Sequence, residues 1–255
     1  SISEFGACDV FFDICAGPGS FSDYLLEKGG KGVGITLEHT DPSKRFYPSL
    51  INNPNYVILE GDEYNYGDIC DEQTLKRIGK EIHATLVLAD GAPSESEYGN
   101  ENMQEIYSST IIMSEVLLAL ITLQQGGTFI LKVFDMFTPF SKSLLYTLVT
   151  FFDTVCVVKP ESSRIVNSER YIKCVGFQIK ENHDKIIEDL FTYYSGMKVD
   201  KHNGPICFIP NDSLFNASIP EAITKIGNAQ VKALKEIMDG IDDVLTNQSK
   251  KRKLF

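Results

Sequence analysis

The chain has 255 residues, 43% of them hydrophobic and 23% charged, enough to close one large core, which excludes disorder and collagen-like repeats. Lys plus Arg total 24 against 35 Asp plus Glu, a formal net charge of -11, which argues against a polybasic nucleic-acid coat, since such binding rests on cations neutralising phosphates. A nucleic-acid substrate stays open where positive charge is local.

Ser-Ile-Ser-Glu-Phe-Gly at the start has neither an initiator Met nor the basic and apolar runs of a signal peptide, so the chain is expected to be a fragment. Val10 to Ile14 reads as a strand that ends in Ala16-Gly-Pro-Gly19, and Phe21, Tyr24, Leu25 and Leu26 follow at helical spacing. Gly32 to Leu37 and Tyr56 to Leu59 read as further strands, each closed by an acidic or Asn/Pro-rich loop. Leu75 to Ile82 suits a helix and Ala84 to Ala89 a buried strand. Met103 to Gln124 is expected to form one long helix that stops at Gly126-Gly127, before a strand over Thr128 to Phe134.

Phe140 to Phe152 gives a helix, and the runs Thr154 to Lys159 and Tyr171 to Val175 flank a Ser/Arg/Asn loop. Alternating strands and helices imply an α/β fold, a mostly parallel sheet with an antiparallel edge strand and helices on both faces. Beyond Gly176 come a helix over Glu181 to Tyr194, a Gly/Pro loop over Gly204 to Pro210, and a helix over Ala229 to Leu245. Residues 1–180 are expected to form the core domain and 181–255 a C-terminal helical extension packed on it.

No apolar stretch reaches the roughly 18 to 20 residues of a spanning helix; Ile111 to Leu123 is broken by Ser114, Glu115 and Thr122, so a soluble protein is expected, with no membrane partner. The six cysteines form no C-x-x-C pair and the four His lie far apart, which offers no metal set. The thiols are expected to be reduced, mostly buried and intracellular. The cluster Lys250-Lys-Arg-Lys253 points to nuclear import, with cytoplasmic residence also open.

Gly17-Pro18-Gly19 between strand and helix lets backbone approach a ligand and turns unpaired helix N–H groups toward it. The spacing is neither the G-x-G-x-x-G of dinucleotide enzymes nor a phosphate loop. Asp13 at the strand end can face a cationic group, which favours S-adenosylmethionine, with its ammonium and sulfonium, over NAD. Glu38 is a candidate for ribose hydroxyls and Asp68 for the adenine amino group, with Asp62 competing for the latter.

The run Asp13-Ile-Cys-Ala-Gly-Pro-Gly-Ser-Phe-Ser-Asp-Tyr resembles a segment of the FtsJ-type ribose 2′-O-methyltransferases. So do Leu88-Ala-Asp-Gly-Ala, Ile130-Leu-Lys-Val-Phe-Asp-Met-Phe-Thr-Pro-Phe, Lys159-Pro-Glu-Ser-Ser-Arg and Asn167-Ser-Glu-Arg-Tyr. Asp-x-Phe-Thr-Pro-Phe, Asn-Ser-Glu-Arg-Tyr and the Gln230-Val-Lys-Ala-Leu-Lys helix are most similar to the eukaryotic cap-1 mRNA (nucleoside-2′-O-)-methyltransferase family. The resemblance implies a Rossmann-like methyltransferase fold that binds S-adenosylmethionine through Asp13, Ala16, Gly17, Pro18, Gly19, Phe21, Glu38, Asp68 and Asp90. It also implies a Lys/Asp/Lys/Glu tetrad in which Asp90, Lys132 and Glu169 match the last three members. The first lysine lies upstream of the cofactor loop in the family, and residues 1–12 contain none, so the chain is expected to begin after it.

The activity implied is methyl transfer to the ribose 2′-OH of the first transcribed nucleotide of capped mRNA, with the transcription or capping machinery as candidate partners. A lysine base must have its pKa brought from about 10.4 toward about 7 to 8 to accept a proton, and Lys132 is the candidate. Asp90 would orient it and Glu169 would contact the ribose. Lys142, Lys159, Arg164, Arg170 and Lys173 are expected around the mouth as phosphate ligands, with Arg164, Asn167 and Ser168 as substrate-binding candidates. Base stacking on Phe134, Phe137 or Phe140 is open, although Phe at these spacings belongs more often to a core. Action on ribosomal or transfer RNA, or non-catalytic binding of capped RNA, are the competing readings.

Overall fold

The computed structural model describes residues 10–93, 103–161, 163–164, 166–200, 224–225 and 227–241. Seven strands run in chain order β1 (Val10–Ile14), β2 (Lys31–Ile35), β3 (Tyr56–Leu59), β4 (Ala84–Ala89), β5 (Leu123–Phe134), β6 (Phe152–Val158) and β7 (Glu169–Phe177). They form one sheet in the order β3-β2-β1-β4-β5-β7-β6. The first five strands pair in parallel, and β7 lies antiparallel between β5 and β6. This is the mostly parallel α/β sheet with an antiparallel edge expected from the alternation.

Seven helices flank it: α1 (Ser20–Glu27), α2 (Pro48–Ile51), α3 (Glu72–Glu81), α4 (Gln104–Tyr107), α5 (Ser109–Thr122), α6 (Pro139–Phe151) and α7 (His183–Asp200). A further helix covers 227–241. Alternation of side chains divides β1 between two apolar layers. Phe11 packs with Leu25, Leu26 and Leu50 of α1 and α2. Phe12 and Ile14 join Leu75, Ile78, Val116, Leu144 and Tyr194 of α3, α5, α6 and α7. Helices therefore cover both faces. Helix α5 is apolar nearly all round because it is sandwiched, and α7 docks on it with the Tyr194 hydroxyl 2.8 Å from Ser114 Oγ and donating to Cys70 O at 2.9 Å.

Two expectations are corrected. The helix expected over Met103 to Gln124 is two helices, α4 and α5, separated at Ser108, and it ends at Thr122 rather than at Gly126-Gly127. Leu123 turns extended and opens β5, and Gly126, at φ 80°, lies within an irregularity where the register shifts between Ala84 and Leu86. Among the described residues burial pushes up the thiols of Cys15, Cys70 and Cys174, whereas Cys156 faces solvent from edge strand β6. The basic tail, the 204–210 loop and the start of the chain lie outside the described residues.

Order reverses between β1 and β4, so the C-terminal ends of these strands form the crevice where open α/β sheets bind ligands. Asp13 and the glycine turn leave β1 there, and Asp90 leaves β4. The adjoining rim is braced by α4. Glu105, 7% exposed, accepts from Phe137 N (3.1 Å), Thr138 N (2.8 Å), Thr138 Oγ1 (2.7 Å) and Ser141 Oγ (2.6 Å), which fastens the turn after β5 and the start of α6. Removing that acceptor takes the partner from the buried Ser141 hydroxyl and the half-buried Thr138, so Glu105→Ala is expected to lower the unfolding free energy by about 2 kcal/mol. Urea titration checks this; a loss below about 0.5 kcal/mol, the scale of a surface change, would refute the brace.

Candidate active site

The glycine turn places Asp13, Cys15, Ala16, Gly17, Pro18, Gly19, Ser20, Phe21 and Asp90 around one cleft. A Cβ on Gly17 would lie 2.6 Å from Lys44 O, and one on Gly19, at φ +115°, would lie 2.1 Å from Leu50 Cδ1, so both positions require glycine. Asp13 is 1% exposed. Its Oδ2 accepts from Ser22 Oγ at 2.6 Å while its Oδ1 has no partner. Burial, reinforced by the nearby Asp90 charge, pushes its carboxyl up to about 7. A buried, half-partnered carboxylate beneath a backbone cradle fits the ammonium of an amino-acid cofactor.

Two further cofactor candidates, Glu38 and Asp68, follow β2 and β3. Glu38 lines a cavity of about 680 Å³ with Thr36, Lys44, Arg45, Phe46 and Tyr66, and this cavity adjoins the glycine cleft, because Gly17 packs against Thr36 and Lys44. Asp68 spends one carboxylate oxygen on its own turn, accepting from Cys70 N at 2.8 Å.

Lys132 and Asp90 do meet. Ala89 pairs with Leu131, so the next residues of the two parallel strands stand side by side. Lys132 Nζ donates to Asp90 O at 2.6 Å and lies 3.2 Å from Asp90 Oδ1. The ammonium also lies 5.7 Å above the Phe134 ring. Lys132 pairs across the antiparallel ladder with Tyr171, and Phe134 with Glu169, so all four share one face of the sheet. The Tyr171 hydroxyl donates to Asp90 Oδ1 at 2.9 Å, and burial first, then the Asp90 charge, pushes its pKa well up. Glu169 Oε1 accepts from Ser163 Oγ at 2.8 Å.

Sequence reasoning missed Tyr171 and Glu115. The first was legible as the residue two places after Glu169 on a strand, hence on the same face. Glu115, a lone acid in apolar α5, is fully buried behind the site, where its Oε1 accepts from Gly91 N at 2.8 Å and Oε2 is unpartnered. Burial pushes it up to about 8.

The expected basic mouth needs correction. Arg170 is 1% exposed, because alternation along β7 turns it to the opposite face from Glu169, where it pairs with Asp135 at 3.1 Å. Lys173 is exposed but pairs with Ile130, two residues farther from the mouth than Tyr171. Lys159 Nζ donates to Asn167 O (3.0 Å), Asn167 Oδ1 and Glu169 O (2.6 Å), which makes it a strut of the loop rather than a free cation. Asn167 and Ser168 are likewise held internally, Ser168 Oγ donating to Gln104 Oε1 at 2.9 Å. Arg164 and Lys142 remain exposed. Of the aromatic candidates, Phe140 is core, Phe134 lies under Lys132, and Phe137 is 69% exposed. Among the described residues no three His, Cys, Asp or Glu side chains gather as a metal site, and no helix is long and apolar enough to cross a membrane.

A doubly wound sheet with a glycine cradle and a buried carboxylate at its switch point, and a lysine–aspartate pair beside it, is the architecture of a Rossmann-like methyltransferase. The profile of the FtsJ-like methyltransferases matches residues 2–177, and the chain belongs to that family. It is 33% identical over 267 residues to the mouse cap-specific mRNA (nucleoside-2′-O-)-methyltransferase 1, covering 96% of this chain and 31% of that protein. The Bos taurus protein of the same name is 38% identical over 198 residues, covering 71% and 23%. The inactive cap-specific mRNA (nucleoside-2′-O-)-methyltransferase 1B of Caenorhabditis briggsae is 35% identical over 187 residues, covering 68% and 21%. The chain thus spans less than a third of the length of these relatives.

Proposed function

We propose that this chain is the catalytic domain of an S-adenosylmethionine-dependent RNA 2′-O-methyltransferase that acts on the first transcribed nucleotide of capped mRNA in the nucleus. In this reading residues 1–180 are its core and 181–255 an extension. The observation that carries it is the Lys132–Asp90 pair, at the ends of β5 and β4 beside a cleft whose floor is the half-partnered Asp13. The relatives that bear the cap-specific name support the choice of substrate.

When bound, S-adenosylmethionine supplies an electrophilic methyl on a positively charged sulfur. Asp13, with its unpartnered Oδ1, and the Gly17–Gly19 backbone would hold the cofactor's amino-acid end. Asp90 holds Lys132 Nζ through a hydrogen bond to its carbonyl and an ion pair with its carboxylate, and Tyr171 steadies that carboxylate. Lys132 would take up the 2′-OH proton as the ribose oxygen accepts the methyl. Glu169, one diagonal step along the same face, holds the ribose. Arg164 and Lys142 meet phosphates at the rim.

A second reading, non-catalytic binding of capped RNA, draws on the relative that is named inactive. Transfer of labelled methyl to short RNAs that differ only in a methylguanosine cap decides among these, using this chain and a form extended upstream. Cap-dependent label on the first ribose is the expected result. Label that ignores the cap would move the substrate to ribosomal or transfer RNA, and cofactor binding without transfer by either form would establish the non-catalytic reading.

A further inference from the structure

We infer that the 227–241 helix acts on the site through one side chain, Gln230, a positioning residue that fixes the segment carrying Glu169. The helix lies outside the residues matched by the family profile. Its apolar side chains Val231, Leu234, Ile237, Met238 and Ile241 are each 44–63% exposed, whereas Gln230 is half-buried. Gln230 Oε1 accepts from Arg170 Nη2 at 2.8 Å, and its Nε2 donates to Asn167 O at 2.6 Å.

Those two bonds complete a closed network. Arg170 Nη1 donates to Asp135 Oδ1 (3.1 Å) and to Ser168 O (3.3 Å), while Asp135 N donates to Ser168 O (3.2 Å). The carboxamide thus ties the backbone at Asn167 to a buried guanidinium one residue beyond Glu169. Asp135 itself stands at φ 48°, a conformation the network must hold in place. A carboxamide is suited to this junction because it accepts from a cation and donates to a carbonyl at once. An Ala does neither. A Glu keeps the first bond and turns the second into an oxygen facing an oxygen.

The inference rests on the reading that Glu169 holds the acceptor ribose, so its test includes a measurement that needs no activity. In the full chain, Gln230→Ala and Gln230→Glu are compared with the parent by amide hydrogen exchange at Asn167 and Asp135, whose N–H groups close this segment, and by methyl-transfer kinetics. Both variants are expected to speed exchange at these two amides at least about tenfold while β1 and β4 are unchanged. Turnover is expected to fall about tenfold in kcat, with the RNA KM and the S-adenosylhomocysteine Kd within about twofold. Gln230→Glu, which keeps the Arg170 bond, is expected to melt within about 2 °C of the parent and still turn over slowly, a split that a purely structural role would not produce. Unchanged exchange in both variants, or full kcat in Gln230→Glu, would overturn the inference. Faster exchange in a protein whose parent form transfers no methyl would leave the latch standing and remove the catalytic reading instead.

Discussion

Lys132→Ala is expected to lower kcat for methyl transfer by about 10³-fold, the scale of a lost general base, while the Kd for S-adenosylhomocysteine stays within about threefold. The two effects separate because Lys132 does not line the glycine cleft, whereas Asp90 does. In the variant, Asp90 keeps its bond from Tyr171 and its place at the end of β4. Lys132→Arg is the sharper control. It preserves charge and length, but a guanidinium cannot give up its proton at neutral pH, so it too is expected to be inactive if proton transfer is the lysine's role. Single-turnover labelling of capped RNA, with cofactor binding measured on the same preparations, checks both. Near-normal turnover in either variant would take Lys132 out of the chemistry.

The strands were the most legible part of the fold. β1, β3 and β4 lie where short β-branched or aromatic runs bounded by turn residues place them, because strands covered on both faces need such runs. The α5–β5 junction was not legible. Gly126-Gly127 marks a backbone that cannot stay helical, but nothing in Leu123-Gln-Gln says that the chain is already extended there, since this is decided by pairing with β4. At the site, the strand-end positions of Asp13, Asp90 and Lys132 follow from the sequence pattern, and the structure sets Lys132 beside Asp90 and lines one cleft with Asp13 and Asp90. Arg170 and Lys159 were misread as phosphate ligands because charge type says nothing of burial, and here each is spent on the loop that carries Glu169. Alternation along β7 was the available signal: Arg170 cannot share a face with its neighbour Glu169. Glu115 gave no signal, since α5 has no polar stripe from which a buried acid would stand out.

The cofactor-free protein is expected to lose stability as pH rises from about 4 to about 7, the reverse of an ordinary ion-paired carboxylate. The Asp13 carboxyl, 3.8 in the unfolded chain, is pushed up to about 7 in the fold by burial, then by the Asp90 charge. Between those values the folded state holds a proton that the unfolded state has released, so raising the pH favours unfolding. The penalty approaches about 4 kcal/mol above pH 7, and Glu115, pushed up to about 8, adds to it in the same direction. Asp13→Asn keeps the shape and removes the ionisation, and is expected to gain about 2 to 4 kcal/mol over the parent at pH 7.5 in urea titrations. Cofactor binding should respond in the opposite sense. An ammonium beside Oδ1 favours the ionised carboxylate, so the affinity of the parent for S-adenosylhomocysteine is expected to rise nearly tenfold per pH unit up to about pH 7 and then level off. The Asn variant should bind at least about 100-fold more weakly at pH 7.5, with a flat profile, because an amide cannot replace the lost charge. Calorimetric titrations between about pH 5.5 and 8.5 measure this directly across the raised pKa. An affinity in the parent that is indifferent to pH would show that the ammonium does not sit on Asp13, and the stability gain in Asp13→Asn would then be a property of the buried acid alone.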